Sequence, residues 1–148
     1  MKSARLFVLC AALLAVTGAA HALEFKSIGP VPAVFYDAPS PKGRKVFVAP
    51  RGMPVEVVLT YGEWVKVRDM AGDLSWVQAR ALVQRRSVVV NAATARVRSA
   101  AEEAAPVVFT AEKGVLLDMV DSPVGGWLKV KHRDGQSGFV RVSEVWGE

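Results

Sequence analysis

The chain of 148 residues repeats itself, and that duplication constrains its fold more than any single motif. Residues 33–83 lie over 95–146, with one extra residue in the second copy. Ala33 matches Ala95, Ala38 matches Ala100, Val46-Phe47 matches Val108-Phe109, Ala49 matches Ala111, Gly52 matches Gly114 and Val58 matches Val120. Beyond the insertion, Trp64 matches Trp127, Lys66-Val67 matches Lys129-Val130, Gly72 matches Gly135 and Val77 matches Val140. A unit repeated twice in so short a chain has room for one small core per copy.

The pattern inside each copy is period two. Met53, Val55, Val57 and Leu59 alternate with Pro54, Glu56, Val58 and Thr60, and Val115, Leu117 and Met119 alternate with Leu116, Asp118 and Val120. The acids Glu56 and Asp118 fall in the same phase, as expected for half-buried strands. Tyr61-Gly62 and Gly125-Gly126 supply turns, as do Ala71-Gly72-Asp73 and Asp134-Gly135. Each copy closes on a short segment, Ala79 to Leu82 or Ser143 to Trp146, compatible with one helical turn. Residues 92–105 are rich in helix formers, but their counterpart in the first copy carries Pro30, Pro32, Pro39 and Pro41. A strand and a long loop are therefore expected there, with at most one helical turn near Ala100 to Ala104. The expected core is Val46, Val55, Val57, Val65, Val67 and Val77 in the first copy. In the second it is Val108, Leu117, Met119, Leu128, Val130 and Val140.

The repeats are preceded by MKSARLFVLCAALLAVTGAAHA, a basic start, an apolar run and a small-residue A-x-A end. This order is that of a secretory signal peptide cleaved between Ala22 and Leu23. The run from Leu6 to Val16 falls short of the ~20 residues of a membrane span. Cys10 follows Phe7-Val8-Leu9 rather than small residues, so it fills the apolar run and is not a lipid-attachment site. With cleavage the chain loses Lys2 and Arg5, its formal charge falls from +5 to +3, and it retains His132 but no Cys. The expected organisation is a signal peptide at 1–22, a first domain at 23–86 and a second at 87–148. The link Gln84-Arg85-Arg86-Ser87 is short and poor in glycine, which implies a fixed arrangement of the two.

The strands carry Gly126-Trp127-Leu128-Lys129-Val130 and Asp134-Gly135-Gln136-Ser137-Gly138-Phe139-Val140, with Ala95-Arg96-Val97-Arg98-Ser99 at the opening. Together these motifs resemble the bacterial SH3-type domain. The first copy departs more, with Val34-Phe35-Tyr36-Asp37 at its opening and Ser75 where glycine precedes the aromatic. The resemblance implies an all-β chain of two tandem small SH3-like β-barrels, similar to small exported two-copy proteins.

Catalytic chemistry finds little material here. Thiol catalysis needs a Cys, which the exported chain lacks, and a zinc site needs about three convergent ligands. A serine nucleophile would depend on His132, and there is no G-x-S-x-G elbow. No catalytic, cofactor-binding or metal-ligating residues are expected, nor any membrane span after cleavage. Lys42, Arg44, Lys45 and Arg85-Arg86 form basic clusters, but export removes nucleic acid as a partner and leaves a solvated basic surface.

The strand phase that turns Val65, Val67, Leu128 and Val130 inward turns Trp64, Lys66, Trp127 and Lys129 to the other face, with Trp76 and Phe139. These six residues are the candidate ligand-binding set. Either they form a binding face for an envelope protein or peptidoglycan, or the aromatics cover a barrel end or the other copy and the chain is a structural assembly partner. The localisation expected is periplasmic or secreted. Intact-mass analysis of the envelope fraction is expected to give a chain beginning at Leu23; a full-length or cytoplasmic product would contradict the reading of residues 1–22.

Overall fold

The computed structural model describes residues 22–148; the expected signal peptide at 1–22 lies, but for its last residue, outside the described residues. Among the described residues fourteen strands form two seven-stranded antiparallel sheets, one from each half of the chain. The first half contributes β1 (Phe25–Ile28), β2 (Ala33–Tyr36), β3 (Lys45–Ala49), β4 (Pro54–Tyr61), β5 (Trp64–Arg68), β6 (Leu74–Gln78) and β7 (Leu82–Val83). The second contributes β8 (Ser87–Val90), β9 (Thr94–Arg98), β10 (Val107–Glu112), β11 (Leu116–Met119), β12 (Trp127–Lys131), β13 (Ser137–Arg141) and β14 (Val145–Trp146). The strand orders are β3-β2-β6-β5-β4-β1-β7 and β10-β9-β13-β12-β11-β8-β14, the same topology twice. The chain is all-β, two tandem SH3-like domains, with single 3-10 turns at Ala79–Ala81 and Val142–Glu144. No helical turn forms at Ala100 to Ala104.

Each sheet closes over its own core. Ile28, Phe35, Val55, Val65, Val67 and Val77 pack in the first, and Val88, Val90, Val97, Leu117, Leu128, Val130 and Val140 in the second. The alanines shared by the copies have a packing reason. Ala33 lies directly opposite Ala49, and Ala95 opposite Ala111, all four buried. Small side chains on both partners fit these positions of β2/β3 and β9/β10 against the close-packed cores.

Val46 and Val108 are not core residues: they are 44% and 42% exposed. In both copies the ladder slips by one residue at this point. Phe35 pairs with Phe47 and Tyr36 with Lys45, which skips Val46; Arg98 pairs with Val107 and Val97 with Phe109, which skips Val108. A bulged residue leaves the ladder, and the alternation expected from sequence fails there. A third slip at Val58 pairs Leu59 with Lys66 and turns Leu59 out to solvent. Val57 and Met119 are half-buried at the margins of the cores.

The two sheets meet along a seam. Ser27 and Ser87 are buried and their hydroxyls are 2.7 Å apart. The Ser87 hydroxyl donates to the Gly52 carbonyl, which leaves Ser27 as donor to Ser87. Arg86 donates to the Gly147 carbonyl at 2.8 Å and lies over the Phe25 ring at 5.6 Å. The Phe25 and Trp146 rings meet edge to face at 5.1 Å. Backbone crowding is tightest at Gly138, where a Cβ would stand 2.5 Å from the Arg98 carbonyl oxygen and 2.8 Å from a Val97 methyl.

Val67→Asp and Val130→Asp are each expected to abolish cooperative folding of their own core, because each buries an unpartnered charge in a fold with little stability to spare. Val46→Thr and Val108→Thr are expected to change stability by less than ~0.5 kcal/mol, the usual range for surface positions. Chemical denaturation checks both; core-like losses at the bulge positions would contradict the register described. Gly138→Ala is expected to cost the second barrel ~1–3 kcal/mol, the range for overpacking, and an unchanged denaturation midpoint would refute the crowding there.

Candidate functional site

The outer face of each sheet carries one row that crosses three central strands. In the first, Tyr36 on β2 lies opposite Trp76 on β6, which lies opposite Lys66 on β5. The bulge adds Leu59 on β4 to the Lys66 end. In the second, Arg98 on β9 lies opposite Phe139 on β13, which lies opposite Lys129 on β12. Opposed residues in an antiparallel pair share a face, so these side chains are neighbours. The ammonium of Lys66 is 5.8 Å from the centre of the Trp76 ring, and that of Lys129 is 6.0 Å from the Phe139 ring. Among the described residues neither lysine has a carboxylate within ion-pair distance. The two rings and their lysines are half-buried, leaving part of each aromatic surface and each cation open to a ligand.

Trp64 and Trp127 share this face by strand phase but are covered, at 9% and 8% exposure. Neither tryptophan packs against the other; each has a local cover. Tyr36 meets Trp64 edge to face at 5.3 Å. The guanidinium of Arg141 lies 4.3 Å over the Trp127 ring. Arg141 is clamped by Glu103, with its Nε donating to a carboxylate oxygen at 2.6 Å. Arg98 binds the same loop, donating to the Ala105 carbonyl at 2.9 Å and standing 3.6 Å from Glu103. Glu103 is therefore the latch that holds the β9–β10 loop and Arg141 over Trp127. The six candidate residues thus divide into covered Trp64 and Trp127 and accessible Lys66, Trp76, Lys129 and Phe139.

The remaining tryptophan, Trp146, lies in the seam between the barrels, a role the repeat alignment did not single out. Its aromatic partner Phe25 lies before the aligned region, and Trp146 stands at the last aligned position. His132 lies beside a turn as expected, its Nδ1 3.0 Å from Asp134. Asp134 has a pKa lowered to about 2, first by the backbone N–H and then the side chain of Gln136, with His132 adding to the effect. Two further acids are held in ion pairs, Glu56 with Arg68 at 3.1 Å and Asp118 with Arg85 at 2.6 Å. Among the described residues no three His, Cys, Asp or Glu side chains converge as a metal site, and no helix is long and apolar enough to cross a membrane.

A search of curated protein sequences gives no significant match. Among solved structures the chain is similar to NlpC2 from Trichomonas vaginalis, at 11% identity and TM-score 0.40, covering 86% of this chain and 49% of that one. It is also similar to NlpC1 from the same organism, at 12% identity and TM-score 0.39, covering 86% and 46%. A third is an NLPC/P60 family protein from Bacillus cereus, at 17% identity and TM-score 0.38, covering 83% and 56%. The chain spans about half the length of these structures. The family model of the bacterial SH3 domain matches twice, at residues 29–83 and 91–147, one match to each sheet. With most of its length accounted for by these two matches, the chain belongs to the bacterial SH3 domain family.

Proposed function

We propose that this chain is an exported, non-catalytic binding module that attaches to peptidoglycan or to a protein of the cell envelope. The observation that carries the reading is the cation beside an open aromatic ring, presented at the same register position on both barrels: Lys66 with Trp76 and Lys129 with Phe139. A flat ring stacks on a sugar or an alkyl surface, and an adjacent ammonium with no acid of its own attracts a ligand carboxylate. Duplication supports a binding role further, since two weak sites on one body bind a repetitive polymer far more tightly than either alone. The sequence of residues 1–22 supports export to the compartment where such polymers are found.

A second reading, an assembly partner of another envelope protein, is supported by the edge strand β3. Val46, Phe47 and Val48 are exposed there on a strand paired on one side only. Such an edge accepts a strand from another chain.

Co-sedimentation with purified peptidoglycan sacculi tests the first reading. Trp76→Ala combined with Phe139→Ala is expected to reduce the bound fraction at least about tenfold, as loss of an aromatic anchor does. Retention equal to that of the unaltered protein would refute a peptidoglycan-binding role for these faces. Trp64→Ala and Trp127→Ala are expected to act differently, costing ~3 kcal/mol of stability through lost packing. In the folded fraction, retention should stay unchanged. Loss of retention without loss of stability would return these two rings to the binding surface.

A further inference from the structure

The seam between the barrels leaves a cleft of about 970 Å³ on one side, formed by neither barrel alone. Its walls are turns contributed by both copies. The β3–β4 turn supplies Arg51, the link between the barrels supplies Arg85, and the β12–β13 hairpin supplies Lys131 and Arg133. Among the described residues the one acid that lines it, Asp118, is held by Arg85 at 2.6 Å. Asp118 also faces Lys131 across the β11/β12 ladder, yet its ion pair is with Arg85. In the turn of the same hairpin, Asp134 is engaged by His132 and Gln136. Arg51, Lys131 and Arg133 are exposed and, among the described residues, have no carboxylate within ion-pair distance. Three unpaired cations thus surround one concavity.

The rest of the lining is not that of a simple anion site. Pro30, Val83 and Leu116 give it apolar wall. Gly52 and Gly114, equivalent positions in the two copies, have φ of 80° and 91° and no atom near the place a Cβ would occupy. They leave the cleft unobstructed where the two copies' turns approach it. The volume is at the upper end of the ~300–1,000 Å³ typical of small-ligand sites. It far exceeds what one phosphate or carboxylate fills.

We propose that this inter-barrel cleft binds a short acidic peptide with small apolar side chains. The unpaired cations would take its carboxylates and the apolar wall its methyl groups. The site uses none of the outer-face residues, so it goes beyond the proposed attachment through Trp76 and Phe139 and stands or falls separately.

Isothermal titration of the purified protein tests it with three probes: the peptide Ala-Glu-Glu-Ala with a free C-terminus, its neutral counterpart Ala-Gln-Gln-Ala amide, and inorganic phosphate. The acidic peptide is expected to bind, and to weaken as salt is raised through screening of exposed charges. Affinity should fall at least about tenfold in the double variant Arg51→Gln/Arg133→Gln. Lys131→Gln/Arg133→Gln, which shares Arg133 with the first and replaces Lys131 in place of Arg51, serves as a second variant, and circular dichroism verifies that both fold. The neutral peptide and phosphate should bind at least about tenfold more weakly than the acidic peptide. No binding of the acidic peptide, equal affinity in the folded variants, or equal affinity for phosphate would each overturn the proposal, the last by reducing the cleft to a general anion site. Trp76→Ala/Phe139→Ala should leave the titration unchanged. Peptide binding without sacculus retention would defeat only the outer-face reading, and the converse would defeat only the cleft.

Discussion

Two hydroxyl groups buried between the barrels govern how the rest of the surface is arranged. Ser27 and Ser87 lie on the first strand of each copy and are excluded from water. A buried hydroxyl without a partner costs ~1–3 kcal/mol, so the hydrogen bonds Ser27 to Ser87 and Ser87 to the Gly52 carbonyl tie the barrels to one register. An apolar contact tolerates sliding; this chain of donors and acceptors does not. Phe25, Trp146 and the Arg86–Gly147 bond complete the seam with segments from both ends of the duplicated region. The cleft follows as a consequence, since its walls come from turns that only this docking brings together.

Duplication and divergence divide the labour between the copies. The inward residues hardly change in kind: valines on the central strands and the opposed alanine pairs recur at matching positions. The outward residues do change. Tyr36 in the first barrel is Arg98 in the second, and Gln78 is replaced by Arg141 at the position opposite the covered tryptophan. The first barrel therefore covers Trp64 with an aromatic edge, and the second covers Trp127 with a guanidinium held by Glu103. The same packing problem has two chemical solutions. Both leave the neighbouring aromatic-lysine pair accessible.

Much of the fold was legible because it rests on local alternation. The phase of Val65-Lys66-Val67 and of Leu128-Lys129-Val130 places the inward valines and outward lysines correctly. The repeat overrules the helix-forming composition of residues 92–105. The bulges were not legible: Val46 and Val108 have the residue type and spacing of core positions, and a one-residue slip depends on the partner strand. Nor did strand phase reveal the cover over Trp64 and Trp127, because Tyr36 and Arg141 reach those rings from other strands. Phase sets the face of a sheet on which a side chain stands, and tertiary packing decides whether that face is open. The cleft was the least visible feature, since its outermost cations, Arg51 and Arg133, stand 82 positions apart in the chain and each one alone reads as solvated surface.

The account depends on the two barrels behaving as one body, and calorimetric unfolding of residues 23–148 tests that most directly. A seam of buried hydrogen bonds and an aromatic pair predicts a single transition in which the calorimetric and van't Hoff enthalpies agree. Ser87→Ala, which removes the shared hydroxyl and leaves Ser27 without its acceptor, should split or broaden that transition. Two well-separated transitions in the unaltered protein, unmoved by Ser87→Ala, would show barrels that only share a chain, and would contradict the fixed docking on which the cleft depends.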